Sequence, residues 1–242
     1  MRAFRKKMMF LELILLYVII LLAVTENTNI AAFTDSRTAS RIYGDSGNEE
    51  RIDPYKDLKK KVAITFDDGP DPVYTSQLLD GLKEREVKAT FFLLGRQIEK
   101  YPEIVERMHK EGHLIGTHSY EHVNLSLLSD EKAMKQINKT NRLIFDITGE
   151  FPQYIRPPFG CWKCNLDYET NMIEVLWDID PLDWKTGSSD AIVKRVVNKV
   201  QEDDIILMHD ASESSVKAAL KIVDRLTEEG YEFVTVEELL LE

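Results

Sequence analysis

The chain has 242 residues, with 31 Lys and Arg against 42 Asp and Glu, giving a formal net charge of −11. That balance excludes a protein that follows nucleic-acid phosphates with a basic face, and two cysteines exclude a small disulfide-stapled scaffold. With 43% hydrophobic and 30% charged residues, the composition suits one core-stabilised domain of barrel size and not a low-complexity chain.

Arg2, Arg5, Lys6 and Lys7 precede residues 8–24, which are apolar except for Glu12. A basic cap followed by such a run reads as an export signal or an N-terminal membrane anchor, so residues 1–24 take that role and the domain is expected outside the cytoplasmic membrane. Residues 25–58 are polar and without periodicity, and read as a flexible linker. From Lys59 to residue 242, strand-like and helix-like segments alternate. Strands are expected over 62–66, 89–94, 113–116, 154–156, 173–177, 205–208 and 232–235, and helices over 74–86, 102–111, 130–147, 188–200 and 213–229. Repeated βα units imply parallel strands with helices outside them, a pattern that a barrel and an open sheet both fit. The polar clusters fall just after strand runs, where α/β folds carry their chemistry.

Asp67 and Asp68 end the first strand run ahead of Gly69-Pro70. Neighbouring strand residues point to opposite faces, so one carboxylate can serve a cation and the other a proton. Alone, the motif is a polar turn. His118 and His122 stand four apart and share one face if their segment is helical, close enough for one metal. With one Asp they make a His₂-carboxylate set that leaves positions for water and substrate. His109 and His113 read as structural. In Arg156-Pro157-Pro158-Phe159-Gly160 two prolines remove two donors, leaving Phe159 N–H as the first available. Such a loop can hold Arg156 against a carboxylate and aim that amide at an oxyanion. Asp180-Pro181-Leu182-Asp183-Trp184 and Leu207-Met208-His209-Asp210 each follow or end a strand run. An Asp beside His209 would orient its ring and favour imidazolium, a general acid.

Taken together and in order, these five stretches resemble the polysaccharide deacetylases of carbohydrate esterase family four, the NodB homology domain, over about residues 59–242. The resemblance implies a distorted (β/α) barrel with seven or eight parallel strands and a divalent metal at its mouth, usually zinc, with cobalt or another divalent ion as the alternative. It implies Asp68, His118 and His122 as metal ligands, Asp67 as catalytic base, and Arg156 as the partner of that base. His209 matches the catalytic acid and Asp183 its partner, while Trp184 and Leu207 match residues lining the acetyl pocket. Phe159 stands where many members have Tyr, at a position that contributes its backbone N–H. The implied reaction is hydrolytic N-deacetylation of N-acetylglucosamine in a cell-envelope polysaccharide, with peptidoglycan as the substrate expected here. Chitin oligomers, an O-acetylated polysaccharide such as xylan, and a non-catalytic wall-binding role are the competing readings. The expected partners are the glycan and, through residues 8–24 if uncleaved, the membrane; no nucleic acid is expected.

The family pattern does not require Cys161 and Cys164. No thioredoxin-like unit surrounds them and no second cysteine pair completes a zinc site. A short disulfide formed in an oxidising space and two free thiols are the readings left.

Overall fold

The computed structural model describes residues 59–163, 166 and 170–241. Strand β1 (Lys60–Asp67) is followed by α1 (Tyr74–Glu84), β2 (Thr90–Leu93), the single turn α2 (Gly95–Ile98), α3 (Pro102–Lys110) and β3 (Leu114–Thr117). Then come the long α4 (Asp130–Thr148), β4 (Tyr154–Ile155), β5 (Ile173–Glu174), α5 (Ser189–Val197), β6 (Ile205–His209), α6 (Glu213–Glu228), β7 (Tyr231–Phe233) and α7 (Val236–Leu240). Helix ends carry ordinary signals. Ser129, Ser188 and Ser212 accept the third amide of α4, α5 and α6 respectively, and Gly149 stops α4 at a φ of 80°.

All the strand pairs are parallel, in the order β5-β4-β3-β2-β1-β6, with β7 pairing the first half of β1. The expected strand over 173–177 is short for a reason that decides the architecture. Val175 N–H still bonds to Ile155 of β4 at 2.9 Å, but the chain then crosses to the opposite edge. There Asp178 N–H donates to Ile205 O at 2.9 Å, and Ile179 bridges Ile206 of β6 in parallel. One segment therefore touches both edges, and the sheet curls into a distorted barrel instead of remaining open.

Alternation along β1 separates two cores. Val62, Ile64 and Phe66 pack outward against Leu78, Leu79 and Leu82 of α1 and Ala219, Ile222 and Val223 of α6. Ala63 turns inward to Phe92, Tyr154, Val175 and Val236. Thr65 and Asp67 share that inward face, which is how the strand delivers a carboxylate to the barrel mouth. Among the described residues no helix is long and apolar enough to cross a membrane; the 8–24 run and the linker expected over 25–58 lie outside the described residues.

The barrel interior is tight at Gly116, where a Cβ would sit 2.6 Å from the Phe92 ring and 2.9 Å from the Tyr154 carbonyl. Neither neighbour can yield freely, one being backbone and the other buried. Gly116→Ala is expected to lower the unfolding free energy by about 1–3 kcal/mol, the usual cost of overpacking. Urea denaturation of the variant checks this.

Candidate active site

Five segments at the C-terminal ends of the strands bring the polar motifs together. Asp67 is the last residue of β1 and is buried. Asp68 then reverses the chain with a φ of 74°, so both carboxylates reach the mouth although they are sequence neighbours. The turn is held from β6: a Cβ on Gly69 would lie 2.6 Å from Asp210 Oδ2, which also accepts from Thr75 Oγ1 at 2.5 Å. Burial pushes the Asp210 carboxyl up to about 7, against the opposing pull of that Thr75 hydrogen bond.

His118 and His122 do come together, but not on a helix. The segment leaving β3 is a loop in which Ser119 and His122 adopt left-handed φ values of 65° and 59°. Ser119 Oγ accepts from His122 N at 3.0 Å, and Gln136 Oε1 of α4 accepts from the amides of Tyr120 and Glu121 at 3.1 and 2.9 Å. That scaffold sets the ring centroids 5.1 Å apart. The Nε2 atoms of His118 and His122 stand 3.5 and 3.4 Å from Asp68 Oδ1, which has no hydrogen-bond partner despite its burial. One ligand atom from each of the three residues lies within 4.8 Å of the others. The Arg156 carbonyl lies 2.6 Å from His118 Nδ1. A carbonyl only accepts, so Nδ1 carries the hydrogen and Nε2 keeps its lone pair for a ligand. Burial lowers the His118 pKa, which favours the same neutral ring. An orphaned carboxylate oxygen facing two imidazole nitrogens fits a divalent metal of borderline softness.

Arg156 lies beneath this group, fully buried. Its Nη1 donates to Asp67 Oδ1 at 2.9 Å and to Thr65 Oγ1 at 2.6 Å. Nε and Nη2 donate to the carbonyls of Val175 and Leu176, at 3.1 and 2.9 Å, in the segment that closes the barrel. The second Asp67 oxygen stands 3.8 Å from His118 Nε2, toward the mouth.

Across the cavity, His209 ends β6 with its Nδ1 2.8 Å from Asp183 Oδ1, while the other Asp183 oxygen accepts His209 N–H at 2.8 Å. Burial alone would lower the His209 pKa, but the Asp183 hydrogen bond and charge, aided by Asp67 and Asp68, raise it to about 9. With Nδ1 engaged by Asp183, Nε2 is the ring nitrogen left for another partner. Leu207, Phe159, Trp177, Trp184 and Asp180 complete a cavity of about 470 Å³ over both groups. Phe159 is half exposed at a φ of 63°, its ring edge-on to His122 at 4.7 Å.

Every residue singled out in the five motifs thus lies at this mouth. Thr65, Trp177 and Gln136 belong to it and carried no motif of their own. Thr65 was accessible, because it sits two residues before Asp67 on the same strand face; Gln136 acts from a distant helix and leaves no local signal. His113 is structural, its Nδ1 accepting from Ala89 N at 3.1 Å and its pKa pulled down to about 4 by burial. Cys161 Sγ lies 3.5 Å from the Phe159 carbonyl; Cys164, its partner in the disulfide reading, lies outside the described residues.

The geometry predicts a titration. A pKa raised in the folded state means the His209–Asp183 pair contributes its stability fully below about 6.5 and loses it as pH rises through about 9. Asp183→Asn removes the charge that favours imidazolium. NMR titration of the His209 ring in the metal-free chain should show a midpoint near 9 that falls by at least one unit in the variant; equal midpoints would contradict the coupling.

Comparison with known proteins agrees with this geometry. A family model described as polysaccharide deacetylase matches residues 55–175. The chain is 44% identical over 191 residues to peptidoglycan-N-acetylmuramic acid deacetylase PdaC of Bacillus subtilis, covering 79% of this chain and 40% of that protein. It is 42% identical over 190 residues to a peptidoglycan-N-acetylglucosamine deacetylase of Bacillus cereus, covering 76% of this chain and 68% of the relative. The solved structure of peptidoglycan deacetylase PdaC from Bacillus subtilis superposes with a TM-score of 0.73 at 45% identity, over 75% of this chain and 90% of that one. This chain therefore spans less than half the length of the Bacillus subtilis relative.

Proposed function

The chain belongs to the polysaccharide deacetylase family, and we propose that it hydrolyses the N-acetyl group of N-acetylglucosamine residues in peptidoglycan, outside the cytoplasmic membrane. The observation that carries this reading is one cavity with two walls. The Asp68–His118–His122 cluster and Asp67 form one, and His209, held from behind by Asp183, lies on the other. Amide hydrolysis needs such an arrangement, because a proton must be taken from water on one side of the carbonyl and given to nitrogen on the other.

Asp68, His118 and His122 would hold a divalent metal, zinc in this proposal, whose Lewis acidity supplies carbonyl polarisation and a more acidic water. Asp67 accepts the proton of the attacking water, using the oxygen that Arg156 leaves free. Phe159 N–H donates to the oxyanion that develops on the acetyl group, a kind of contact that contributes about 3 kcal/mol where it has been removed by mutation. His209 gives its proton to the departing nitrogen, so that acetate and a free amino sugar leave. Asp183 keeps that imidazole protonated and aimed. Leu207 and Trp184 enclose the acetyl methyl. Residues 1–24 as export signal or anchor and 25–58 as linker complete the proposal, carrying residues 59–242 to the wall.

Mass spectrometry of peptidoglycan, chitin oligomers and acetylated xylan after incubation with the zinc-loaded chain tests the reaction and its substrate. Loss of acetyl from the amino sugars of peptidoglycan is expected; loss from xylan alone would assign an O-acetyl esterase, and loss from none a binding protein.

The roles of the two aspartates separate in the same assay. Asp68→Asn should lose metal, since it removes a charged ligand, whereas Asp67→Asn should keep metal by elemental analysis and lose turnover. Equal metal loss in both would reject the division. His209→Ala should retain metal and lower kcat by about 10²–10⁴-fold, the usual contribution of a general acid.

A further inference from the structure

The three residues that would hold a metal are oriented in different ways. His118 is fixed directly, with its Nδ1 against the Arg156 carbonyl at 2.6 Å. His122 is fixed through its loop, by Ser119 Oγ and by the two neighbouring amides that Gln136 holds. Asp68 Oδ1, which faces both imidazoles, is buried and has no hydrogen-bond partner among the described residues. Its aim is therefore set by the backbone turn that carries it, where Asp68 has a φ of 74°.

That turn is wedged between two neighbours. On one side Leu94 N–H, just past β2, donates to Gly69 O at 3.1 Å. On the other, a Cβ on Gly69 would lie 2.6, 2.8 and 3.0 Å from Oδ2, Oδ1 and Cγ of Asp210, so the glycine rests directly on the carboxyl group. Asp210 Oδ2 accepts from Thr75 Oγ1 at 2.5 Å, and the same Thr75 oxygen accepts Asp71 N–H at 2.7 Å. Asp71 Oδ1 in turn accepts the amides of Val73 and Tyr74 at 2.9 and 2.8 Å. A chain of hydrogen bonds thus runs from the start of α1 to the residue after His209, and the Asp68 turn leans on its last link.

Asp210 is a costly choice for packing alone. It is fully buried and its Oδ1 has no hydrogen-bond partner, whereas an apolar or amide side chain would fill the space at lower cost. Local rules are broken in this way chiefly at functional sites, and the proposed reaction gives this carboxyl no task. We propose that Asp210 and Thr75 are positioning residues that brace the Asp68 turn, so that Asp68 Oδ1 is held facing the His118 and His122 nitrogens. The inference rests on the metal-dependent deacetylase reading and adds a device to it. Without the Thr75 hydroxyl the carboxyl loses its tether, and without the carboxyl Gly69 loses its backstop.

Zinc dissociation constants of the full chain, measured without substrate by competition with a chromophoric chelator, test this. Thr75→Val keeps the side-chain size and removes the hydroxyl, while Asp210→Ala removes the backstop. Each should weaken zinc binding by about tenfold, the lower end of what losing an outer hydrogen-bond partner costs a metal site. Thr75→Ser returns the hydroxyl, and Asp210→Asn keeps both an acceptor for Thr75 and the packing against Gly69. Both conservative variants should bind zinc as the parent does, because a brace acts by shape and not by charge. Urea denaturation of each metal-free variant runs alongside, since a merely structural pair would lower stability and leave the zinc constant of the folded chain unchanged. That result in Thr75→Val or Asp210→Ala, whichever folds, overturns the proposal, and so does a loss of zinc affinity in Asp210→Asn. A parent chain that binds no zinc would instead reject the metal site itself, so the two failures are distinguishable.

Discussion

The structure depends on a guanidinium that water never reaches. Burying a charge of that size is tolerable only where each of its donors has a partner and an opposite charge lies close. Arg156 meets those terms through Asp67 and Thr65 of β1 and the carbonyls of Val175 and Leu176, with the Phe92 ring 4.3 Å away. These partners come from three parts of the barrel, including the segment that joins its two edges. Closure of the fold and placement of the Asp67 carboxylate are therefore one event: the barrel cannot shut around Arg156 without also presenting Asp67. Breaking such a pair by removing one member typically costs about 3–5 kcal/mol, because the other charge stays buried. The arginine also reaches the Asp68–His118–His122 cluster, since its own carbonyl receives His118 Nδ1–H.

Around that pair the polar residues divide by depth. Asp67, Arg156, His118 and Asp183 are buried and each is hydrogen-bonded, Arg156 and Asp183 more than once, so their orientations are set in advance. Phe159 and Trp184, 63% and 61% exposed, form the rim. A rigid floor with an aromatic rim suits the polymer substrate proposed above. The charges follow the same logic: aspartates dominate the floor.

Left-handed backbone is concentrated where function requires a change of direction. Asp68, Ser119, His122, Phe159 and Leu182 all have positive φ, each beside a residue of the site or in one. Non-glycine residues adopt this region at a cost, and local hydrogen bonds offset it here, as between Ser119 and His122. The geometry explains why a His-x-x-x-His spacing that suits a helix is realised in a loop: the two left-handed residues fold the segment back, and Gln136 holds it there.

Much of this was legible in the sequence. The alternation of strand and helix runs was readable because hydrophobic period is a local property, and the seven strand runs recur in the structure within a few residues. The residue types of the site were legible too, since Asp-Asp, His-x-x-x-His and Arg-Pro-Pro each follow a strand run and recur in the order of one family. What the sequence by itself determined, then, was the set of elements, the chemistry available and the ends of the strands at which it lies. Tertiary structure alone decided that the sheet curls and closes through residues 175–179 and that Arg156, which the family resemblance pairs with Asp67 89 positions away, is fully buried against it with carbonyls of that closing segment as further partners. The physical reason is separation along the chain: period and turn chemistry act over a few residues, whereas these contacts form only when distant segments meet and every buried donor must find an acceptor.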